Sequence, residues 1–521
     1  MICLSLTRET ISEALDDVRR NLQWIDLVEL RADLLAHLDP QALSSFPAEL
    51  AKVAATATGE RRIGCIFTLR RGIDGGGFEG EEADRLKLIR DVLSGGSSAE
   101  ADGPASNDAR FDYVDLELDL ERNEAGQALR RQAQTAGIRV IRSYHEFTGV
   151  PGQLESRYEE LCRREEEIPK LAAAPRNTAE LLRLIELLQN GAGRDRIIVG
   201  MGTVGFPTRV LAPVLGGYLS YTSADHDDAV AAAPGHVGPR RLAETYRYRS
   251  MSETTAVFGI IGKPVMHSSS PAFHNRHFTE KNLDAVYVPF EVDELDPFFE
   301  LAELLEIRGL SVTVPHKESV ISYLHEVDES VVPVGACNTV LVSKNRRRRG
   351  LNTDVTGFML PLERAIGASG PEAFDGMRAT VVGAGGAARA VVFGLLRAGV
   401  RLCIVNRTVE RAERMGAEIA GALGVERPLA AALDSRSRET IEEYGSLIVQ
   451  TTSVGMEPNV DEDPLPFYEF RGHEIACDII YAPETTRFLQ RAQAAGCVTI
   501  SGTQMFEEQG LAQAAYFEHI V

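Results

Sequence analysis

Two lysines, each with a proton-carrying companion, are the residues of this chain best suited to chemistry. Lys170 ends the apolar run Ile168-Pro169-Lys170. A lysine drawn into a strand end loses the water that stabilises its charge, and the neutral amine can attack a ketone. His145, in Ser143-Tyr144-His145, ends the preceding run and can move protons near neutral pH. Alone, a strand-end lysine is more often structural, and a lone histidine is usually just hydrogen-bonded. As a pair ending consecutive strands they suit Schiff-base chemistry. In the second half, Lys317 closes Thr313-Val314-Pro315-His316-Lys317, and Asp354 closes Asn352-Thr353-Asp354. Asp before a helix is commonly only a cap, and Ser268-Ser269-Ser270-Pro271 reads equally well as a helix N-terminus. Ahead of the glycine-rich turn Gly383-Ala384-Gly385-Gly386-Ala387, the same groups suit hydride transfer on a polyhydroxylated substrate, with Lys and Asp handling the proton of the reacting oxygen.

The elements that must carry these groups follow from apolar periodicity. Ile2–Leu6, Leu27–Leu30, Cys65–Leu69, Tyr113–Leu118, Arg139–Ser143, Ile168–Ala172, Ile197–Met201 and Tyr218–Thr222 read as strands separated by helical patterns. Eight of them in about 240 residues match a (β/α)8 TIM barrel, whose active site lies at the C-terminal rim of the strands. Glu29, Arg31, Arg70, Asp115, Glu117, His145 and Lys170 all fall at such strand ends. The stretch Ser94 to Ala109 reads as a flexible surface loop. The polar residues Arg247–Thr255 precede a new strand, Ala256–Ile261, and mark the domain boundary. The run Thr380-Val381-Val382 leads through the glycine turn into a helical Arg389–Arg397, the strand–turn–helix context of a Rossmann unit. Arg346–Arg349 lies between strand-like segments and reads as a solvated hairpin tip.

Residues 1–240 resemble the type I 3-dehydroquinate dehydratases. The matching segments are Glu29-Leu30-Arg31-Ala32-Asp33, Phe67-Thr68-Leu69-Arg70, Asp115-Leu116-Glu117, Ser143-Tyr144-His145, Ile168-Pro169-Lys170 and Gly205-Phe206-Pro207-Thr208-Arg209. The resemblance implies an imine between Lys170 and the substrate ketone, with His145 as general acid and base. It implies that Glu29, Arg31, Arg70, Asp115, Glu117 and Arg209 bind or orient substrate; His236, in the place of a substrate-binding glutamine, can still donate such a bond. Three positions depart from the family: Asp74 before Gly75-Gly76 where Glu is usual, Ala232 for a serine, and His236 for a glutamine.

Residues 256–521 resemble the shikimate dehydrogenases. Ser268 and Ser270, Thr313 and Lys317, Gly335-Ala336-Cys337-Asn338-Thr339, Asn352-Thr353-Asp354, Thr452-Ser453-Val454-Gly455-Met456, Asp478 to Pro483, and Gly502, Met505, Gln509 and Gly510 carry the likeness. It implies a Lys317–Asp354 catalytic pair and substrate binding by Ser268, Ser270, Thr313, Asn338, Tyr481 and Gln509. Gly383, Ala384, Gly385, Gly386, Ala387, Asn406, Arg407, Thr408, Gly502 and Met505 would hold the cofactor. Departures are Ser311 where Asn is common and Gln450-Thr451 where Asn-Ala is common. The cofactor choice is physical: an NAD site presents Asp or Glu to the ribose at the end of the second strand, whereas Asn406-Arg407-Thr408 follows Leu402-Cys403-Ile404-Val405 here. Arginine suits a 2′-phosphate, so NADP is expected.

The first activity would make the substrate of the second. The expected architecture is therefore an α/β chain: a barrel over 1–245, a linker over 246–255, a substrate subdomain over 256–358, a Rossmann subdomain over 359–495, and a C-terminal helix over 496–521 returning to the substrate subdomain. Its expected ligands are 3-dehydroquinate, 3-dehydroshikimate, shikimate and NADP, with no metal. Two rival readings are a degraded barrel serving as a scaffold and a quinate-preferring, NAD-linked dehydrogenase. The 521 residues fit three to four domains at roughly 150 each. With 55 Lys and Arg against 76 Asp and Glu, the net charge of −21 argues against a nucleic-acid or anionic-membrane binder. Seven cysteines without a CxxC pair, and an N-terminus without a signal-peptide pattern, point to the cytoplasm.

Overall fold

The computed structural model describes residues 1–58, 61–95, 110–190, 193–224, 235 and 237–521. They fall into two compact units: Met1–Val257 with Pro264–Arg276 and Asp284–Glu306, and Phe258–Lys263 with His277–Leu283 and Ile307–Val521.

In the first unit, strands β1 (Ile2–Leu6), β2 (Leu27–Arg31), β3 (Gly64–Thr68), β4 (Tyr113–Glu117), β5 (Arg139–Glu146), β6 (Ile168–Ala173), β7 (Ile197–Gly200) and β8 (Ser220–Ser223) form one parallel sheet. Its order is β7-β6-β5-β4-β3-β2-β1-β8, the wrapped order of a TIM barrel. At the seam, the Tyr218 N–H donates to the Arg196 carbonyl at 2.8 Å, and β8 starts two residues later than the apolar pattern suggests. Conversely, β5 runs three residues past Ser143, so His145 sits inside a strand.

Strand alternation then sorts the barrel interior into layers. Cys3, Leu27, Ile66, Ile141, Ile168 and Ile197 form a buried apolar plug. Two residues further along the same strands stand Ser5, Glu29, Thr68, Ser143 and Lys170. A polar layer therefore rests on an apolar floor. Residues 246–255 pack onto this unit: Tyr246 and Tyr248 are buried, and Arg249 pairs with Asp26 at 2.9 Å. The unit also contains β10 (Ala285–Glu291); β9 (Ala256–Gly262) precedes it in the chain.

The second unit has two sheets. In the first, β9 pairs with β11 (Gly309–Val312), β11 with β13 (Thr339–Val342), β13 with β14 (Arg348–Leu351), and β14 with β12 (Glu326–Val327). The arginine run lies at the β13–β14 hairpin, where Arg347 meets Glu326 at 2.9 Å. The other sheet is wholly parallel: β15 (Arg378–Val382), β16 (Arg401–Asn406), β17 (Leu429–Ala432), β18 (Leu447–Gln450), β19 (Ile475–Asp478) and β20 (Val498–Ile500), in the order β17-β16-β15-β18-β19-β20. This is the doubly wound Rossmann order, with its switch point between β15 and β18, where a dinucleotide cleft opens. The C-terminal helix Gly502–Glu518 returns to the first of these sheets, with Phe517 5.0 Å from Phe258, ring to ring.

Candidate active sites

In the barrel, Lys170 is the centre of a buried ionic cluster. Its Nζ donates to Asp115 Oδ2 at 2.8 Å and to Glu29 Oε1 at 3.4 Å, and lies 4.2 Å from the centre of the Tyr221 ring. β2 and β4 each bring a carboxylate to the amine. Arg70 joins from beyond β3, with Nη2 2.8 Å from Asp115 Oδ2 and Nη1 3.2 Å from His145 Nδ1. Burial works against charge on Asp115, but Arg70 and Lys170 outweigh it and hold the carboxyl well below the usual range. Glu29 is held low against burial by Lys170, Arg31 and Arg70. Burial, with Arg70 and Lys170 beside it, pushes His145 well below its ordinary value. The ring is therefore neutral at pH 7 and free to accept or pass a proton.

Three hydroxyls that the sequence reading did not single out complete this layer. Ser143 donates to Asp115 Oδ1 at 2.5 Å, Thr68 to Glu29 Oε1 at 3.0 Å, and Ser5 to Glu29 Oε2 at 2.8 Å. The legible signal was position: each stands two residues after a plug residue, on the inward face.

The remaining barrel candidates stand apart from the amine. Arg31 is spent on Asp33 through two hydrogen bonds of 3.0 and 2.7 Å. Glu117 is gripped by fully buried Arg85 at 3.0 and 3.2 Å, with Arg70 at 3.9 Å. Arg209 is buried, donates to the Tyr221 carbonyl at 3.0 Å, and has no carboxylate partner among the described residues. Burial alone pulls its guanidinium down to about 10. A buried cation left without an anion is costly unless a ligand supplies one. Asp74 pairs with Arg71 at 2.7 Å, in the turn Gly72–Asp74. His236 and Ala232 lie outside the described residues, as does most of the predicted 94–109 loop.

In the second unit, Lys317 Nζ donates to Asp354 Oδ2 at 2.6 Å. Asp354 opens the helix Asp354–Ile366, where a carboxylate is favoured by the exposed N–H groups. Asn338 orients it: its Nδ2 donates to Asp354 Oδ1 at 2.8 Å and to Thr353 Oγ1 at 3.0 Å, while the Thr353 N–H donates back at 2.8 Å. Gln513, absent from the sequence reading, donates to Thr339 Oγ1 at 2.8 Å and accepts from Ser311 at 2.8 Å, so the Ser311 departure is satisfied from the C-terminal helix. Thr313 follows β11, with its N–H on the Ile261 carbonyl at 2.9 Å. Gln509 donates to the Phe506 carbonyl at 3.0 Å, and half-exposed Tyr481 lies 5.4 Å from Phe506, ring to ring. Ser268 and Ser270 belong to the first unit, where the Ser270 N–H donates to Ser268 Oγ at 3.2 Å as the helix Ser270–Glu280 begins.

The glycine turn fits a dinucleotide. Gly383 has φ +112, and a Cβ there would sit 2.7 Å from Thr451 Oγ1, while Cβ atoms on Gly385 and Gly386 would meet nothing within 4 Å. The N-terminus of the helix Gly386–Arg397 is thus open to a pyrophosphate. Asn406 ends β16 and donates to the Thr408 carbonyl at 2.8 Å, and Arg407 is exposed, with no carboxylate partner among the described residues. Two other expected cofactor residues have packing roles. Met505 is buried in the core around the helix Gly386–Arg397, and a Cβ on Gly502 would collide with the Ile480 backbone at 2.4 Å.

Three family models match the chain: type I 3-dehydroquinase over residues 2–253, the shikimate dehydrogenase substrate binding domain over 260–340, and shikimate/quinate 5-dehydrogenase over 367–453. The bifunctional 3-dehydroquinate dehydratase/shikimate dehydrogenase, chloroplastic, of Arabidopsis thaliana is 30% identical over 529 residues, covering 99% of this chain and 82% of that protein. This chain belongs to the bifunctional dehydroquinate dehydratase/shikimate dehydrogenase family. The NADP(+) shikimate dehydrogenase of Moorella thermoacetica is 42% identical over 264 residues, 50% of this chain and 86% of that protein. A shikimate dehydrogenase crystallised with NADP+ is 34% identical with a TM-score of 0.47, covering 52% of this chain and 92% of that one. The dehydratase part of this family member is the lysine barrel, and the dehydrogenase part holds the Lys317–Asp354 pair. Among its described residues, no helix is long and apolar enough to cross a membrane.

Proposed function

We propose that this chain converts 3-dehydroquinate to 3-dehydroshikimate through an imine on Lys170, and then reduces that product to shikimate with NADPH. The observation that carries the reading is the presence of two lysine–carboxylate centres in one chain, Lys170–Asp115 at 2.8 Å and Lys317–Asp354 at 2.6 Å. In the barrel, neutral His145 first takes a proton from the Lys170 ammonium, the freed Nζ attacks the substrate ketone, and the proton returns to the departing oxygen, so that water leaves as the C=N bond forms. The imine draws electrons from the neighbouring carbon, neutral His145 takes its proton, and the hydroxyl leaves as water. Hydrolysis then frees the lysine. Arg209, buried without a carboxylate partner among the described residues, is placed for the substrate carboxylate.

In the dehydrogenase, bound NADPH would supply a hydride. Lys317 would give the ketone oxygen its proton, and Asp354, fixed by Asn338, would hold Lys317 in line. Exposed Arg407 would take the 2′-phosphate, a choice consistent with the NADP(+) named for the Moorella relative. We assign residues 1–245 to the dehydratase, 246–255 to the connector, 256–358 to substrate binding, 359–495 to the nucleotide, and 496–521 to the returning helix. Seven free cysteines support a reducing compartment such as the cytoplasm.

The test is borohydride trapping of an imine with 3-dehydroquinate, together with rates for shikimate and quinate with each nicotinamide cofactor. A trapped lysine other than Lys170, or quinate with NAD as the faster pair, would refute this assignment.

A further inference from the structure

Arg389 stands in the first turn of the helix Gly386–Arg397, whose N-terminus forms the nucleotide turn. Its Nε donates to the Val334 carbonyl, and its Nη1 pairs with Glu418 at 2.9 Å. Glycine at 335 leaves the guanidinium room. Gly335 has φ +65, and a Cβ there would lie 3.1 Å from Arg389 Nη2 and 3.3 Å from Nε. From Val334 the chain runs straight into the groups that hold the dehydrogenase pair. The Ala336 carbonyl accepts from Asn352 at 2.8 Å, and the Cys337 N–H donates to the Lys317 carbonyl at 2.7 Å. Asn338 then donates to Asp354 at 2.8 Å, while Asn352 accepts from the Asp354 N–H at 3.0 Å. Both members of the pair hang on residues 336–338, and the start of that segment is gripped from the nucleotide helix.

We propose that Arg389 is a positioning residue that ties the nucleotide-binding helix to the Lys317–Asp354 pair through the Gly335–Asn338 segment. Arg389 has no contact with Lys317 or Asp354, so its effect must pass through the backbone it holds. A helix displaced by nucleotide would carry the Val334 carbonyl with it and reset Asn338, and hence the Asp354 carboxylate. The proposal rests on the dehydrogenase reading above.

The experiment uses the full chain as wild type, R389A, R389K, N352A and R389A/N352A. It measures shikimate oxidation at saturating substrates, NADPH affinity by fluorescence, and dehydratase turnover. In R389A we expect kcat to fall at least tenfold, with NADPH affinity within threefold of wild type and dehydratase turnover unchanged. R389K keeps a donor for Val334 and should lose less than R389A. The double variant should be no more than twofold slower than the slower single variant, because both act on one segment. An unchanged kcat in R389A, a loss of NADPH binding in step with kcat, an equal loss in R389K, or fully multiplicative effects would each overturn the proposal. A wild-type chain that does not oxidise shikimate would instead overturn the dehydrogenase reading, and this proposal with it.

Discussion

Lys317 Nζ stands 2.6 Å from Asp354 Oδ2, joining the loop after β11 to the first residue of a helix. The pair keeps some contact with water, at 22% and 11% side-chain exposure. Its barrel counterpart, Lys170 with Asp115, is sealed at 5% and 0%. The two lysines therefore answer differently to substitution.

Replacing Lys317 by Met or Asp354 by Asn should cut shikimate oxidation by about 10²–10⁴-fold, the usual contribution of a positioned proton donor or acceptor. Stability should move by no more than about 1 kcal/mol, as for other partly solvated ion pairs. NADPH-linked rates and urea unfolding check both, with dehydratase turnover as the internal control.

Lys170→Met should abolish borohydride trapping and dehydration, and it should also destabilise the barrel. Removing the cation leaves Asp115 and Glu29 facing each other in a buried layer, a loss of roughly 3–5 kcal/mol by analogy with broken buried pairs. Urea unfolding followed by circular dichroism would show it as a lower midpoint.

Arg209→Leu should have the opposite stability sign. No described carboxylate compensates the buried guanidinium, so its removal should leave the unfolding midpoint unchanged or raised. The KM for 3-dehydroquinate should rise at least tenfold. A lowered midpoint would show that Arg209 is a structural anchor.

Asp478, at the end of β19, accepts from Thr486 and the Ile480 N–H at 2.7 and 3.0 Å, but burial pushes its carboxyl up to about 7. The folded state therefore holds a proton that the unfolded chain releases near pH ~4. Its contribution to stability is present below pH ~4 and is lost as pH rises toward 7. Asp478→Asn should remove that component and raise the unfolding midpoint at pH 7.5 relative to wild type. Midpoints of both proteins measured across pH 5 to 8 would decide it; parallel curves would contradict the shift.

Much of this molecule was legible in the chain itself. Periodic apolar runs marked all eight barrel strands to within a few residues, because alternation along a strand is a local property. The Gly383–Ala387 turn was equally plain, since φ +112 at Gly383, with a would-be Cβ 2.7 Å from Thr451 Oγ1, needs glycine in any context. Asp354 and Asn338 were visible as residue types, though not as a hydrogen-bonded unit.

Partner choice was not legible. Arg31 and Glu117 look identical in kind to Arg70 and Asp115, yet they are spent on Asp33 and Arg85. Ser5, Thr68 and Ser143 are ordinary hydroxyls until barrel closure sets them against the two carboxylates that flank Lys170. The sequence alone determined which side chains face inward and where the backbone must turn, because both follow from local sterics and period. Only tertiary structure decided which buried charges meet. Glu29, Asp115 and Lys170 come from strands far apart in the chain, and parallel register around a closed barrel is what places them on one level.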